Sequence, residues 1–332
     1  MAATLTNTIE LLTDVIDAFK TRFPMITAMA TDFSNEEARL GDTIRGRVMT
    51  SPTTQDYGAN GYKDNAADAN SLSNDVTVTL NQHKHVPIKV DYINQISTRR
   101  NLYNEVVGEM AHALGKGMVD YVLGEYDAAN ISNEVVATEA NSDLDVLLTA
   151  NKVLNTRGAS PTGRYAIVNS DVFAYLQSDE RVSSGDYYGQ RRDGNAYGVL
   201  SNIGGFENVY EYPDLPSNDS VMTGLFADRS AIVLAARVPS DFDQVAASLG
   251  VPSIAKTEVV TDADTGLSFM NITYQDPHTF DLYTTTTVIY GAHVGGAGTA
   301  DAGTDKGGLR LVNAESAEAD AVHHTVVNYG GA

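Results

Sequence analysis

Apolar and polar residues alternate with period two over 42–49 (DTIRGRVM), 75–80 (DVTVTL) and 85–90 (HVPIKV), as half-buried strands do. Between the first two, residues 50–74 are rich in Gly, Asn, Asp, Ser and Thr and carry no apolar period. The period then changes. Leu102, Val106, Met110, Leu114, Met118 and Val122 recur four apart within 99–126, with Tyr103, Val107 and Val119 beside them. That is one face of a helix, roughly 40 Å long at 1.5 Å per residue. Residues 41–130 therefore read as strand, long polar loop, strand and long helix. A polar arm of this size cannot bury itself on its own subunit, because its tip offers almost nothing apolar. An arm beside a stiff rod predicts a building block rather than a pocket.

Residues 7–23 predict an amphipathic helix with Ile9, Leu12, Ile16 and Phe19 on one face, capped by Asn7 or Thr8 and ended or kinked by Pro24. Residues 1–40 then form an N-terminal arm, available to dock on something else. Gly108, Gly115 and Gly117 lie inside the long helix, where each costs about 1 kcal/mol against alanine. A bend or a close backbone approach is expected at 115–117.

From 142 the texture is α/β. Ser142 caps a helix through Val153, with Asp143 and Asp145 in its first turn, and 164–168 is a short buried strand. Ser170 caps a helix over 171–176, 182–197 is a loop, and strands follow at 209–212, 221–226 and 230–235. From 251 a third texture begins. Strands at 254–261 and 267–274 flank a hairpin turn in which Gly266 suits a positive φ. Residues 280–290 are β-prone, with threonine at each position from 284 to 287, and late strands are expected at 309–312 and 322–327. No internal repeat of fixed period is present.

The chain has 332 residues, 42% of them apolar, enough for a core. Cysteine is absent, which excludes disulfides, zinc-thiolate sites and thiol catalysis and fits a reducing cytoplasm. No targeting segment or membrane-length apolar run is visible. The 22 basic against 43 acidic residues give a formal charge of −21. Such a field disfavours tight binding to nucleic acid or anionic lipid. Candidate chemistry is thin. Asp262-x-Asp264-x-Gly266 begins like a calcium loop, but Phe269 and Met270 stand where a bidentate glutamate is needed, so it reads as a plain turn. His83 with His85, and His323 with His324, lack a third metal ligand at suitable spacing. There is no nucleophile elbow, zincin motif or dinucleotide fingerprint. The chain reads as no enzyme, with no metal and no cofactor. Arg45, Arg47, Arg191 and Arg192 are prominent because bases are scarce, and they can pair with acidic patches on neighbouring copies. Tyr57 and Tyr62 can lay rings on a neighbour while their hydroxyls stay wet.

The order of parts resembles a tailed-phage major capsid protein of the HK97-type fold, over roughly 7–294. GDTIRGR at 41–47 looks like that family's strand entering its extended E-loop, and VTVTL at 76–80 with VPIKV at 86–90 like the returning strand. Residues 99–126 resemble the spine helix, and RYAIVNSDVF at 164–173 the axial-domain strand and following helix. The run from Tyr197 through Gly205-Phe206 to Leu215-Pro216, then FADRSAI at 226–232, is similar to the next part of the family's axial domain. The resemblance implies an α+β fold divided as N-arm (1–40), E-loop hairpin (41–98), peripheral spine helix and loop (99–141), axial domain (142–250), and peripheral strands with a C-terminal segment (251–332). It implies pentamers and hexamers of this chain closing an icosahedral virion head around genomic DNA, which is enclosed without sequence-specific contacts, and assembly in the host cytoplasm. Separate scaffolding, portal and decoration proteins are the further partners it implies. No fused scaffold is evident at the start of the chain. Some relatives crosslink an E-loop lysine; Lys63 is the only lysine in 50–74, but no asparagine partner aligns, so crosslinking is not expected. The alternatives are an encapsulin-type bacterial nanocompartment shell, an enzyme with an α/β domain at 142–236, and a secreted β-rich adhesin. The long helix and the missing signal peptide count against the last.

Overall fold

The computed structural model describes residues 8–49, 54, 57, 73–90, 102–126, 130–131, 134–137, 143–183, 199–216, 222–240, 255–262, 265–276, 278, 281–294, 308–313 and 326–328. Along the chain these form α1 (Thr8–Arg22), α2 (Met25–Ala28), β1 (Ala30–Ala38), β2 (Thr43–Met49), β3 (Ser73–Thr79), β4 (Gln82–Val90) and α3 (Leu102–Gly124). Then come β5 (Glu134–Ala137), α4 (Leu144–Arg157), β6 (Tyr165–Val168), α5 (Ser170–Ser178), α6 (Glu180–Ser183), β7 (Val199–Ile203) and β8 (Phe206–Glu211). The last are β9 (Met222–Ala227), β10 (Ile232–Pro239), β11 (Ala255–Thr261), β12 (Ser268–Gln275), β13 (Leu282–Val294), β14 (Gly308–Asn313) and β15 (Val326–Asn328). The chain divides into two units, each assembled from separate stretches: Met1–Thr43, Thr79–Gly124 and Val233–Ala292 in one, Ile44–Val78, Glu125–Ile232 and His293–Ala332 in the other.

The first unit is built on a sheet of order β1-β10-β13-β12-β11, with β4 also paired to β13. Residues 282–287 of β13 are bonded to β12 and also to β4, antiparallel in both ladders. A run of β-branched residues suits that doubly paired position. Thr284, Thr286, Val288 and Tyr290 are buried. The buried hydroxyls find partners: Thr284 donates to Asn271 Oδ1 at 2.9 Å, and Asn271 Nδ2 donates to Thr273 Oγ1 at 3.1 Å. A satisfied polar layer of this kind avoids the desolvation cost of orphaned hydroxyls.

Helix α1 lies against α3. Val15, Ile16, Phe19 and Phe23 are buried, Phe19 meets Phe269 edge-on at 6.0 Å, and the Phe23 ring stacks on His112 at 5.7 Å. Burial of each such side chain stabilises by about 1.5–3 kcal/mol. The close approach expected at 115–117 is present. A Cβ on Gly115 would collide with the Phe23 ring, and Tyr290 donates its hydroxyl proton to Gly117 O at 3.0 Å. The described part of the N-terminal arm therefore differs from expectation: instead of waiting for a partner, it packs on its own unit, and β1 runs parallel to β10 from Ala30↔Val233 to Ala38↔Pro239.

The second unit carries a sheet of order β15-β5-β14-β9-β6-β8-β7, and β2 with β3 form a separate two-stranded sheet. Strand β6 is parallel to β8 and antiparallel to β9. Helices α4 and α5 supply Leu147, Ala150, Leu154, Phe173 and Leu176 to the core over that sheet. Their caps are one residue away from those expected: Asp143 accepts from Asp145 N at 3.0 Å, and Asn169 accepts from Val172 N at 2.9 Å. Gly158 closes α4 at φ 75. The late strands also sit elsewhere than the linear division implied. Strand β14 pairs with β5 and β9, and β15 with β5, so both belong to the α/β sheet. Arg310 on β14 is fully buried, donates to Ile131 O at 2.9 Å and pairs with Glu134 at 3.2 Å.

Two glycines of α3 separate propensity from packing. Gly115→Ala gains about 1 kcal/mol of helix propensity but overpacks the Phe23 contact, at a cost of about 1–3 kcal/mol. Nothing lies within 4 Å of a Cβ built on Gly124. Thermal unfolding should show a lower Tm for Gly115→Ala and an equal or higher Tm for Gly124→Ala. A rise for both would mean that the Phe23 ring yields freely.

Candidate functional site

The surface that the sequence singled out is the β2/β3 hairpin. Its base is closed by backbone hydrogen bonds from Gly41 N to Leu80 O at 2.8 Å and from Leu80 N to Asp42 O at 2.9 Å. Gly41 sits at φ 96, and Arg39 N donates to Asp42 Oδ2 at 2.7 Å. Val78 and Leu80 are buried. Gly291 has no Cβ to strike Thr79 O, which lets β13 run beside the hairpin base.

Of the expected interface residues, Arg45 is exposed on β2 and Tyr57 is 75% exposed. Arg47 lies on β2 with its side chain outside the described part. Tyr62, Lys63, Arg191 and Arg192 lie outside the described residues, as do His323 and His324. His83 and His85 are exposed on β4. His83 Nε2 lies 2.9 Å from Thr287 Oγ1, and partial desolvation of the ring, then neighbouring His85, pushes its pKa below the usual histidine value. Asp262 belongs to a turn: it accepts from Lys20 Nζ at 2.9 Å and from Thr265 N at 2.9 Å. Among the described residues no group of three or more His, Asp or Glu is placed to hold a metal ion. No helix among them is long and apolar enough to cross a membrane.

Sequence reasoning missed how the scarce cations are used. Arg181 gathers three carboxylates, Asp145 at 2.7 Å, Asp179 at 2.9 Å and Asp143 at 3.4 Å. Arg237 holds Asp32 at 3.2 Å, Lys89 holds Asp281 at 2.7 Å, and Lys256 pairs with Glu258. Arg164 is buried and turned onto backbone carbonyls of Ser160 and Ala159, at 2.7 and 2.9 Å. Arg39, Arg45, Lys84, Lys152 and Arg229 are exposed and form no ion pair among the described residues. Asp143 and Asp145 were visible as first-turn acids; nothing local in the sequence tied them to Arg181, 36 or more positions away.

No family model matches the chain, and no curated protein is significantly similar to it. Solved structures do match. The capsid structure of the cyanophage P-SCSP1u is 11% identical, with 86% of each chain covered and a TM-score of 0.54. The asymmetric unit of the bacteriophage PhiM1 mature capsid is 10% identical, covering 89% of this chain and 86% of that one, at a TM-score of 0.51. The capsid of Ralstonia phage GP4 is 11% identical, covering 88% and 89%, also at 0.51. At such identities the likeness is one of fold: this chain has a phage capsid fold, in a mixed α/β form.

The Arg181 clamp makes stability depend on pH. Hydrogen bonds from the Arg181 side chain hold Asp179 below its ordinary pKa against the opposing effect of burial, helped by the backbone N–H groups of Arg181 and Leu144. A depressed carboxylate contributes stability that is present above its unfolded pKa, about 4, and is lost as pH falls through the folded value. Asp179→Asn should lower Tm at neutral pH and flatten the decline on the acid side. Parallel Tm–pH curves for variant and wild type would show that this pair contributes nothing through proton linkage.

Proposed function

We propose that this chain is the major capsid protein of a tailed phage, a structural protein that assembles with copies of itself into the head shell. The capsid fold over nearly the whole chain carries the reading. The exposed hairpin strand and the acidic surface, at −21 per chain, support it. An acid-lined shell lets packed DNA slide rather than stick. In this reading α3 is the spine helix, the β2/β3 hairpin with 50–72 is the E-loop, and the shell is an icosahedron of pentamers and hexamers in the virion. Separate scaffolding, portal and decoration proteins are the further partners. The role is structural rather than catalytic.

Removal of residues 52–72, with β2 and β3 joined by a short Asn-Gly turn, tests the part given to the hairpin. The subunit should still fold, because its base is closed at Gly41 and Leu80 and the two large sheets lose no residue. Shells should be lost or distorted. Purified wild type should form rings, capsomers or shells under some salt condition in negative-stain microscopy, with yields that shift as salt screens exposed charge. A wild type that stays monomeric at high concentration across salt would sink the reading. Normal shells from the deletion would move the main contact between copies to another surface.

A further inference from the structure

One strand in the first unit has a composition unlike the rest of the chain. Strand β4 reads QHKHVPIKV, with two lysines, two histidines and no acid, in a protein that carries 43 acidic against 22 basic residues. Among the described residues it pairs with β13 alone, so one of its edges is open. His83, Lys84, His85, Pro87 and Lys89 are all exposed. Lys89 is committed to Asp281, whereas Lys84 has no ion-pair partner among the described residues. Pro87 has no N–H to donate, and an edge strand accommodates proline with its nitrogen on the open side. Lysine and proline on an open edge discourage backbone addition of another strand. What docks there must engage side chains, and its charge must be negative.

The same sheet offers that complement at another open edge. Among the described residues strand β1 pairs with β10 alone, and its register slips between Phe33 and Glu37. The slip is held by Glu36 N donating to Ser34 Oγ at 3.1 Å, and it presents Asn35, Glu36 and Glu37 to solvent. Asp32, earlier on the strand, is already neutralised by Arg237. Glu36 and Glu37 form no ion pair among the described residues, and Arg39, two positions further on, is the nearest cation in sequence. Copies that each carry −21 repel unless scarce cations meet acids at the contact.

We infer that the basic edge of β4 in one subunit docks on the acidic bulge at 34–37 of β1 in a second copy of this chain. The inference rests on the capsid reading. Two different patches meet, so the contact is heterologous: it propagates head to tail and closes into a ring where the rotation allows.

Because the chain has no cysteine, single cysteines report the contact directly. Lys84→Cys and Glu36→Cys subunits are purified separately, mixed under assembly conditions and oxidised. A disulfide-linked dimer should form in the mixture and in neither variant alone. In parallel, Lys84→Glu, and Glu36→Lys with Glu37→Lys, should each reduce the assembled fraction about tenfold at low salt. Combining all three changes should restore it to within about twofold of wild type, with circular dichroism confirming that each subunit is folded. No mixed dimer, together with reversals that assemble like wild type or are not rescued by the swap, overturns the contact and leaves the capsid reading standing. A wild type that never assembles overturns both.

Discussion

The first unit depends on a strand with no free edge along half its length. Residues 282–287 of β13 are hydrogen-bonded to β12 and to β4 at once. A slip of one residue would exchange its faces, taking Thr284 and Thr286 from Asn271 and Tyr290 from Gly117. The polar layer therefore acts as a register key. An all-aliphatic face would pack equally well in several registers, whereas hydroxyls with fixed partners satisfy only one. The α1/α3 pair is then referred to β13 through the Tyr290 hydroxyl and to its neighbour β12 through Phe19 on Phe269.

Charge is divided along the same lines. Several described cations hold one part of a unit to another part of the same unit, as Lys20 does with Asp262, Arg237 with Asp32 and Arg181 with its three aspartates. Pairs that keep one partner in solvent, as these do, stabilise weakly, so their main effect is to fix where the chain segments meet. The fully buried Arg310–Glu134 pair is different, since removal of either partner would strand a charge and cost about 3–5 kcal/mol. Beside these commitments Arg39, Arg45, Lys84, Lys152 and Arg229 form no ion pair among the described residues, and the 43 acids of the chain far outnumber its 22 bases.

Legibility followed the range of the forces. The long helix was readable because its period is a local property, and α3 falls within 99–126. The turn at 262–266 was readable because Gly266 needs a positive φ, which it has at 75°. Strand β1 was not readable. ATDFSNEEA has no alternation and few apolar residues, and it becomes a strand only because β10 offers a ladder about 200 residues away. The caps were misplaced by one residue because Ser142-Asp143 and Asn169-Ser170 each present two competent oxygens, and only the backbone angles decide between them. The placement of β14 and β15 was hidden for the same reason as β1: their ladders are long-range. On the candidate surface, exposure of Arg45 and Tyr57 was legible, while the basic run of β4 was weighed only as two histidines short of a metal ligand.

A fold kept at about a tenth identity needs only patterning: apolar residues of about the right size at inward positions. Nothing in such a pattern specifies how copies recognise one another. That task falls to edges and surface charge, and here the two requirements conflict. A sheet edge must refuse the indiscriminate strand addition that leads to aggregation, yet on the proposed capsid reading copies must associate many times over. Pro87 and the lysines of β4 meet the first requirement by spoiling the backbone template. In the inferred contact Lys84 would meet the second through side-chain charge, which is weak for any one contact, screened by salt, and reversible. Repeated over many copies, weak reversible contacts let misplaced subunits leave before a shell closes, whereas a continuous backbone ladder would hold errors in place.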